Sequence, residues 1–357
     1  MKIKLDLLLF LIVKLVAMIM AWYFVGENTK LGDTQDYING VYVSRNDVTS
    51  TAYLMSVSGL AFKTLFGSSF FANLPLNILS FVTILYAIGK LQLTKHKRWL
   101  LLLLLMAPSF TLWTSIHSKE AIISSFFCMF VGLIIKGCSY SGLNIVEKIL
   151  LVIFVGIIGF FKPVFIPALI WVWFFALGLN SSRYRKSKSF FVVILCIALT
   201  YLLTFHYFSI FDLLASTAHL NFSITGTFTR DWAVWSDFND MVGNLFPGIL
   251  ISFIGPTFSE SLRMPFLIPF FIEGLTTFCI FLYLLYCSSF RRERVNIYKL
   301  FMLGGFFVLL LVAHYPFGYF NPGSAMRYRQ GFYPGLLILL WFYVYDLRQK
   351  KYVQQNI

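Results

Sequence analysis

Four short polar segments hold the residues able to do chemistry in an otherwise apolar chain. GDTQDY, residues 32–37, sets Asp33 and Asp36 three residues apart, with Arg45 and Asp47 downstream. On a helix that spacing puts both carboxylates on one face, where one could serve as a general base and the other as its orienting partner. Asp33 could equally cap a helix. PSFTLWTSIHSKEA carries Pro108, Trp113, His117, Lys119 and Glu120 between two apolar stretches. Charges at such depth pair with one another or line a polar cavity; alternatively, Ser118 caps a helix with Glu120 in its first turn while Lys119 snorkels. TRDWAVWSDFND places Arg230 and Asp231 beside Trp232 and Trp235, with Asp237 and Asp240 following. Carboxylates beside aromatic faces suit sugar rings and hydroxyls, and the tryptophans suit an interfacial belt equally well. MRYRQGFYP brings Arg327 and Arg329, whose planar forks match a phosphate or pyrophosphate. Pairing with lipid headgroups, or with Glu260 and Glu273, is the competing use of those arginines.

These segments need a scaffold, and composition says which kind. The 357 residues are 59% hydrophobic, 19% aromatic and only 12% charged, which excludes an ordinary water-soluble fold, a disordered chain and the alternating strands of a porin barrel. The net charge of +14 resembles a nucleic-acid signal until the basic residues are located. They fall in short runs between apolar stretches, a topological pattern with no nucleic-acid partner. Five cysteines, Cys128, Cys138, Cys196, Cys279 and Cys287, form no CxxC or Cys/His cluster, so neither a disulfide framework nor a zinc site is expected.

Apolar windows long enough to cross the bilayer occur near residues 6–25, 69–89, 189–211, 266–288, 300–316 and 333–348. Between Trp99 and Leu179, polar interruptions at residues 117–120, at Glu147 and Lys148, and at Lys162 and Pro163 divide a nearly continuous apolar stretch into four shorter spans. The expectation is therefore an all-α polytopic transmembrane bundle of about ten spans. It forms one integral membrane domain, residues 1–357, with outer loops at 26–68, 212–265 and 317–332. Within those loops, 51–66 and 245–257 read as interfacial or re-entrant helices. The first apolar run is too long for a cleaved signal and is retained as a span. With both termini inside, nineteen of the 29 basic residues face four acidic ones on the inner side, a net +15; nine face eleven outside, a net −2; and Lys14 lies within the first span. The positive-inside rule sets this orientation. The acids, the Lys/Glu pair, the tryptophans and the late arginines then share the outer side, where one common site is the economical reading.

In order along the chain, GDTQDY, LFGSSFFANLPLNIL, PSFTLWTSIHSKEA and MRYRQGFYPGLLIL resemble, respectively, the acidic first loop, the second-span start, the P…W-S…K-[DE] turn and the late R-Y-x-x-x-x-P segment of a membrane-enzyme class. This is the GT-C class of polyprenyl-phosphate-sugar-dependent glycosyltransferases and the neighbouring O-antigen polymerases of bacterial surface-polysaccharide synthesis. The resemblance implies Asp33 or Asp36 as catalytic base, with Lys119, Glu120, Arg327 and Arg329 contacting the donor phosphate or ordering its loop. Arg230, Asp231 and Trp232 are added as substrate-binding candidates. It implies transfer of a sugar or repeat unit from an undecaprenyl-linked donor at the periplasmic face of a bacterial inner membrane. The implied partners are that donor, a glycan acceptor, membrane lipids and polysaccharide-assembly proteins. The chain departs from the class in lacking a large soluble C-terminal domain and a second acidic pair, so no cofactor is assigned and a divalent metal has no support. A repeat-unit polymerase and, from another class, a lipid-linked saccharide flippase are the alternatives. Alanine at Asp36 or Arg329 is expected to abolish surface glycan without lowering membrane abundance.

Overall fold

A computed structural model describes residues 5–26, 31–43, 50–139, 142–178, 230, 232, 233, 235–291, 294, 295 and 297–346. The expected span at 189–211 therefore lies outside the described residues, as do Arg45, Asp47 and Asp231. Helices and their connecting turns make up the described residues apart from a two-stranded hairpin, in which Phe290 pairs with Val295 and Arg291 with Arg294. The chain divides into two compact units. One comprises residues 1–136, 143–163 and 330–357, and the other comprises 137–142 and 164–329.

The first unit begins with α1 (Leu5–Met20), prolonged by a π-helical turn, Ala21–Val25. Asp6, Phe10, Lys14, Met18 and Ala21 are buried at near-helical spacing, while Leu8, Ile12, Val16 and Ile19 are exposed; a helix that exposes aliphatic side chains on its outer face suits lipid. Next come the short α2 (Thr34–Ile38), α3 (Thr51–Phe66) and α4 (Leu74–Gly89). Ser50 starts α3 by accepting from the Tyr53 amide at 3.1 Å, and Gly67, at φ +66°, ends it. α5 (Lys95–Leu105) stops where Pro108 interrupts the helical ladder, and α6 (Pro108–Trp113) restarts it. Proline offers no N–H to the Leu104 carbonyl, which accepts from the Ala107 amide at 3.3 Å and from the Tyr333 hydroxyl at 2.6 Å. Tyr333 belongs to α16 (Tyr333–Tyr345), a helix buried on every side from Tyr333 to Val344. α7 (Lys119–Ser139) begins at the cap Ser118, whose Oγ accepts from the Ala121 amide at 3.1 Å. α8 (Ile145–Phe161) opens on a reciprocal Asn144–Glu147 capping box and stops before Pro163. Asp6 pairs with Arg98, and Lys136 with Glu147.

The second unit contains α9 (Ile166–Gly178), α10 (Phe238–Gly243), α11 (Leu245–Ile254), α12 (Phe258–Arg263), α13 (Ile268–Ser289), α14 (Ile297–Tyr319) and α15 (Pro322–Arg329). Glycines set its packing. A Cβ on Gly318 would lie 2.6 Å from the Ser252 Cβ, one on Gly305 would lie 2.5 Å from the Trp171 ring, and one on Gly274 would overlap the Ile254 carbonyl. Small residues at such crossings let helices approach closely without a hydrophobic driving force between them.

Six helical stretches among the described residues are long and apolar enough to cross a membrane: Leu5–Val25, Phe71–Gly89, Lys119–Ser139, Leu245–Arg263, Pro265–Ser289 and Ile297–Tyr319. The four spans expected between Trp99 and Leu179 are instead five helices, α5 to α9, and only α7 has full crossing length. The 13 residues of α16 rise about 20 Å, short of the expected window at 333–348. Leu245–Arg263 breaks at Gly255 (φ +102°), and its first piece, the ten-residue α11, rises only about 15 Å.

Candidate functional site

Asp33 and Lys119 are brought to the same tyrosine in the first unit. Asp33 is the N-cap residue of α2 and leaves the capping hydrogen bond unmade, its carboxylate instead accepting from the Tyr37 hydroxyl one turn on, at 3.0 Å. Lys119, at the start of α7, holds its ammonium 5.6 Å from the Tyr37 ring centroid, within cation–π range. Tyr37 is buried, because α3 crosses α2 so closely that a Cβ on Gly59 would lie 2.7 Å from the Tyr37 carbonyl oxygen. The phenol is thus a fixed post with a carboxylate at its tip and a cation on its face. Asp36, by contrast, is exposed, whereas Glu120 is buried in the first turn of α7.

His117 is the residue that sequence reading passed over, named there only as part of its turn. Its ring is fully buried and lies edge-on to Tyr37 and Phe62, with centroids at 6.5 and 5.8 Å. Nε2 lies 2.9 Å from the Met55 carbonyl and 3.3 Å from Ser58 Oγ. That carbonyl only accepts, and Ser58 donates its own proton to the same oxygen at 3.0 Å, so Nε2 carries the hydrogen and Nδ1 the bare lone pair. The His117 amide donates to Asn73 Oδ1 at 2.7 Å, which ties the turn to the start of α4. Burial pushes the imidazole pKa below its usual value, against the hydrogen bond to Met55, which raises it. The ring is therefore neutral at neutral pH.

Lys14 lies deeper, at the middle of α1. Its ammonium donates to Thr114 Oγ1 at 2.8 Å and to the Thr114 carbonyl at 3.1 Å, and Ser80 donates to that same carbonyl at 2.9 Å. Asn77 reaches the Lys14 carbonyl at 3.3 Å. Lys14, Asn77, Ser80, Thr114 and Ser115 are all buried, giving this unit a polar interior at a depth where polar groups are costly.

In the second unit the arginines act on the backbone. Arg230 donates from Nε and Nη2 to both oxygens of Glu260, at 2.7 and 2.9 Å, and from Nη1 to the carbonyls of Gly318 and Tyr319, at 2.8 and 2.9 Å. Its Nη2 also donates to the Gly255 carbonyl at 2.7 Å. Arg329 donates to the Phe253 carbonyl at 2.6 Å and to Glu273 at 3.3 Å. Both guanidinia are buried. Together they satisfy carbonyls around the α11 break that lack helical partners, which makes them clamps of the fold rather than free phosphate ligands. Arg327 differs: it is half-buried, and its Nη2 donates to the Tyr328 hydroxyl at 2.7 Å. Asp237 caps α10 through the Asp240 amide at 2.9 Å, and Asp240 returns the bond to the Ser236 amide at 2.7 Å, so both acids of that loop serve a helix start. Trp235 is buried against Tyr315, Tyr319 and Phe320, while Trp232 is exposed beside Arg230.

The expected outer-side groups are divided between the two units. Asp33, Lys119 and Glu120 lie in one unit, and Arg230, Trp232, Arg327 and Arg329 in the other. No group of three or more metal-binding side chains occurs among the described residues. Comparison with protein-family models, with characterised proteins and with solved structures found no match.

Proposed function

We propose that this chain is an integral membrane glycosyltransferase of bacterial surface-polysaccharide synthesis, O-antigen or capsule, using an undecaprenyl-linked donor at the periplasmic face. The observation that carries the reading is the Tyr37 post, which holds a carboxylate and an ammonium within one small site beside the start of α7. A glycosyl acceptor hydroxyl loses its proton to Asp33 as its oxygen bonds to the anomeric carbon. The bond from that carbon to the phosphate oxygen breaks, and the electron pair leaves with the phosphate. Lys119 neutralises the charge growing there, and Tyr37 orients the base. The same reading keeps about ten spans with both termini cytoplasmic. It is supported by the charge asymmetry and by the ion pairs Asp6–Arg98 and Lys136–Glu147, each of which joins groups assigned to the inner side.

A lipid-linked saccharide flippase is the second reading, favoured by the polar interior around Lys14. Lipid-linked glycans extracted from cells lacking the protein separate the cases. Truncated units indicate a single-sugar transferase, complete unpolymerised units a polymerase. Complete units confined to the inner leaflet would mark a flippase and overturn the proposal.

A further inference from the structure

Lys14 is a buried ionisable group that the proposed chemistry does not use. It sits midway along the Leu5–Val25 stretch, at a depth where ionisable side chains are costly and serve function by default. Yet none of its hydrogen-bonding partners depends on its amine alone. The Thr114 carbonyl also accepts the proton of Ser80, at 2.9 Å, and the Thr114 hydroxyl makes its own bond to the Phe110 carbonyl, at 2.7 Å. Asn77 reaches the backbone oxygen of Lys14, which any residue supplies. An apolar side chain at position 14 would therefore strand no buried partner. What the amine adds is a second anchor on one residue. Ser80 ties Thr114 to α4, and Lys14 ties it to α1, through Oγ1 at 2.8 Å and the carbonyl at 3.1 Å. One anchor leaves a pivot, whereas two from different helices fix a direction. Thr114 closes α6, and residues 115–118 lead from it to Lys119 at the start of α7. The same turn donates the His117 amide to Asn73 and buries Ile116 against Leu31, two residues before Asp33. It thus supports the carboxylate side of the Tyr37 post as well as the ammonium side.

We propose that Lys14 is a positioning residue for the Tyr37 post: by anchoring Thr114 to α1 it sets the turn that leads to Lys119, and with it the place of the Lys119 ammonium on the Tyr37 face. Lys14 touches no substrate and acts only through the turn. The role rests on the glycosyl-transfer reading of the post and adds to it the residue that keeps its cation in place.

Proton spectra of carbon-13 lysine in the full chain, held in lipid nanodiscs, test this. The Lys119 ε-methylene signal is assigned by its loss in Lys119→Met. With the ammonium 5.6 Å from the Tyr37 ring centroid, the ring current should hold that signal upfield of the one from the exposed Lys95. Lys14→Met should move it back toward the exposed position. Thr114→Val, which keeps the shape and removes the hydroxyl, should move it in the same direction. In glycan extension by the purified protein, Lys14→Met should lower kcat about tenfold, the equivalent of one hydrogen bond, with the acceptor KM unchanged. Its unfolding temperature should be no lower than that of the wild type. A Lys119 signal that stays in place in Lys14→Met overturns the role. Loss of that variant from the membrane also overturns it, since Lys14 would then be a support of the fold alone. The two proposals fail separately. A Lys119 signal moved by Lys14→Met, with normal glycan in Lys119→Met cells, removes only the transferase; lost glycan in those cells, with the signal unmoved by Lys14→Met, removes only the positioning role.

Discussion

Tyr37 distinguishes the two early aspartates. Its hydroxyl holds Asp33 at 3.0 Å, and its ring carries Lys119, whereas Asp36 stays in solvent. Tyr37→Phe keeps the packing and removes the bond, so it should slow glycan assembly less than Asp33→Asn does, with both proteins at normal abundance; equal glycan yields from the two strains would contradict that order. His117 makes a separate prediction. Its value when unfolded is near 6.5, and burial lowers it in the fold, so the unfolded chain binds the proton more readily. Stability attributable to this neutral ring is complete above about pH 6.5 and declines as pH falls toward the folded value, by up to about 1.4 kcal/mol per pH unit. Thermal unfolding of detergent-solubilised protein should show this decline, and His117→Gln should flatten it. An unchanged slope in that variant would assign the decline elsewhere.

Among the elements, the break at α11 and α12 is the most heavily braced. Two buried guanidinia, each also paired with a glutamate, donate to the carbonyls of Phe253, Ile254 and Gly255. Removing either guanidinium leaves a partly buried carboxylate and helix-end carbonyls without their donor, so Arg230→Met and Arg329→Met should each cost about 3 kcal/mol and reduce membrane abundance. Arg327→Met should leave unfolding temperature nearly unchanged, as the guanidinium is only half-buried and serves a neighbouring tyrosine. This revises the sequence expectation for Arg329, whose loss now predicts an unstable protein rather than an abundant inactive one. The proline break between α5 and α6 depends on a smaller contact, and Tyr333→Phe should lose about 1 kcal/mol with the hydroxyl that serves Leu104. Unfolding midpoints of the four variants read these differences directly.

At the scale of the molecule, the helical class was legible because lipid leaves a backbone few choices: a chain this apolar must satisfy its hydrogen bonds within helices. Window hydropathy also located four of the six long helices, α1, the α4 region, α13 and α14, close to their observed bounds. It overran α16, which stops at Tyr345 where Asp346 opens a charged stretch, while the segment 245–257, read as interfacial or re-entrant, holds the short α11 that ends at Gly255 (φ +102°). The site was half legible. Asp33 and Lys119 stood out as charges in an apolar chain, but 85 residues separate them, and only the approach of α2, α3 and the α7 start reveals Tyr37 between them. The arginines were conspicuous for the same reason, and two of them, Arg230 and Arg329, hold helix-end carbonyls. Charge type shows that a buried group needs partners without showing whether those partners are substrate oxygens or helix-end carbonyls. The ten-span arrangement predicts that, in a cysteine-free background, Gln35→Cys reacts with an impermeant maleimide in intact cells and Lys95→Cys only after lysis; the reverse pattern would invert the topology.

The central claim is that the Tyr37 post performs glycosyl transfer. Purified protein in nanodiscs, supplied with the polyprenyl-linked sugar donors and lipid-linked oligosaccharide acceptors extracted together from cells lacking it, tests that claim most directly by the appearance of extended glycan. The wild-type chain should extend the glycan, with Asp33→Asn and Lys119→Met at least about a hundredfold slower at unchanged unfolding temperature. Full-rate extension by both variants would contradict the account.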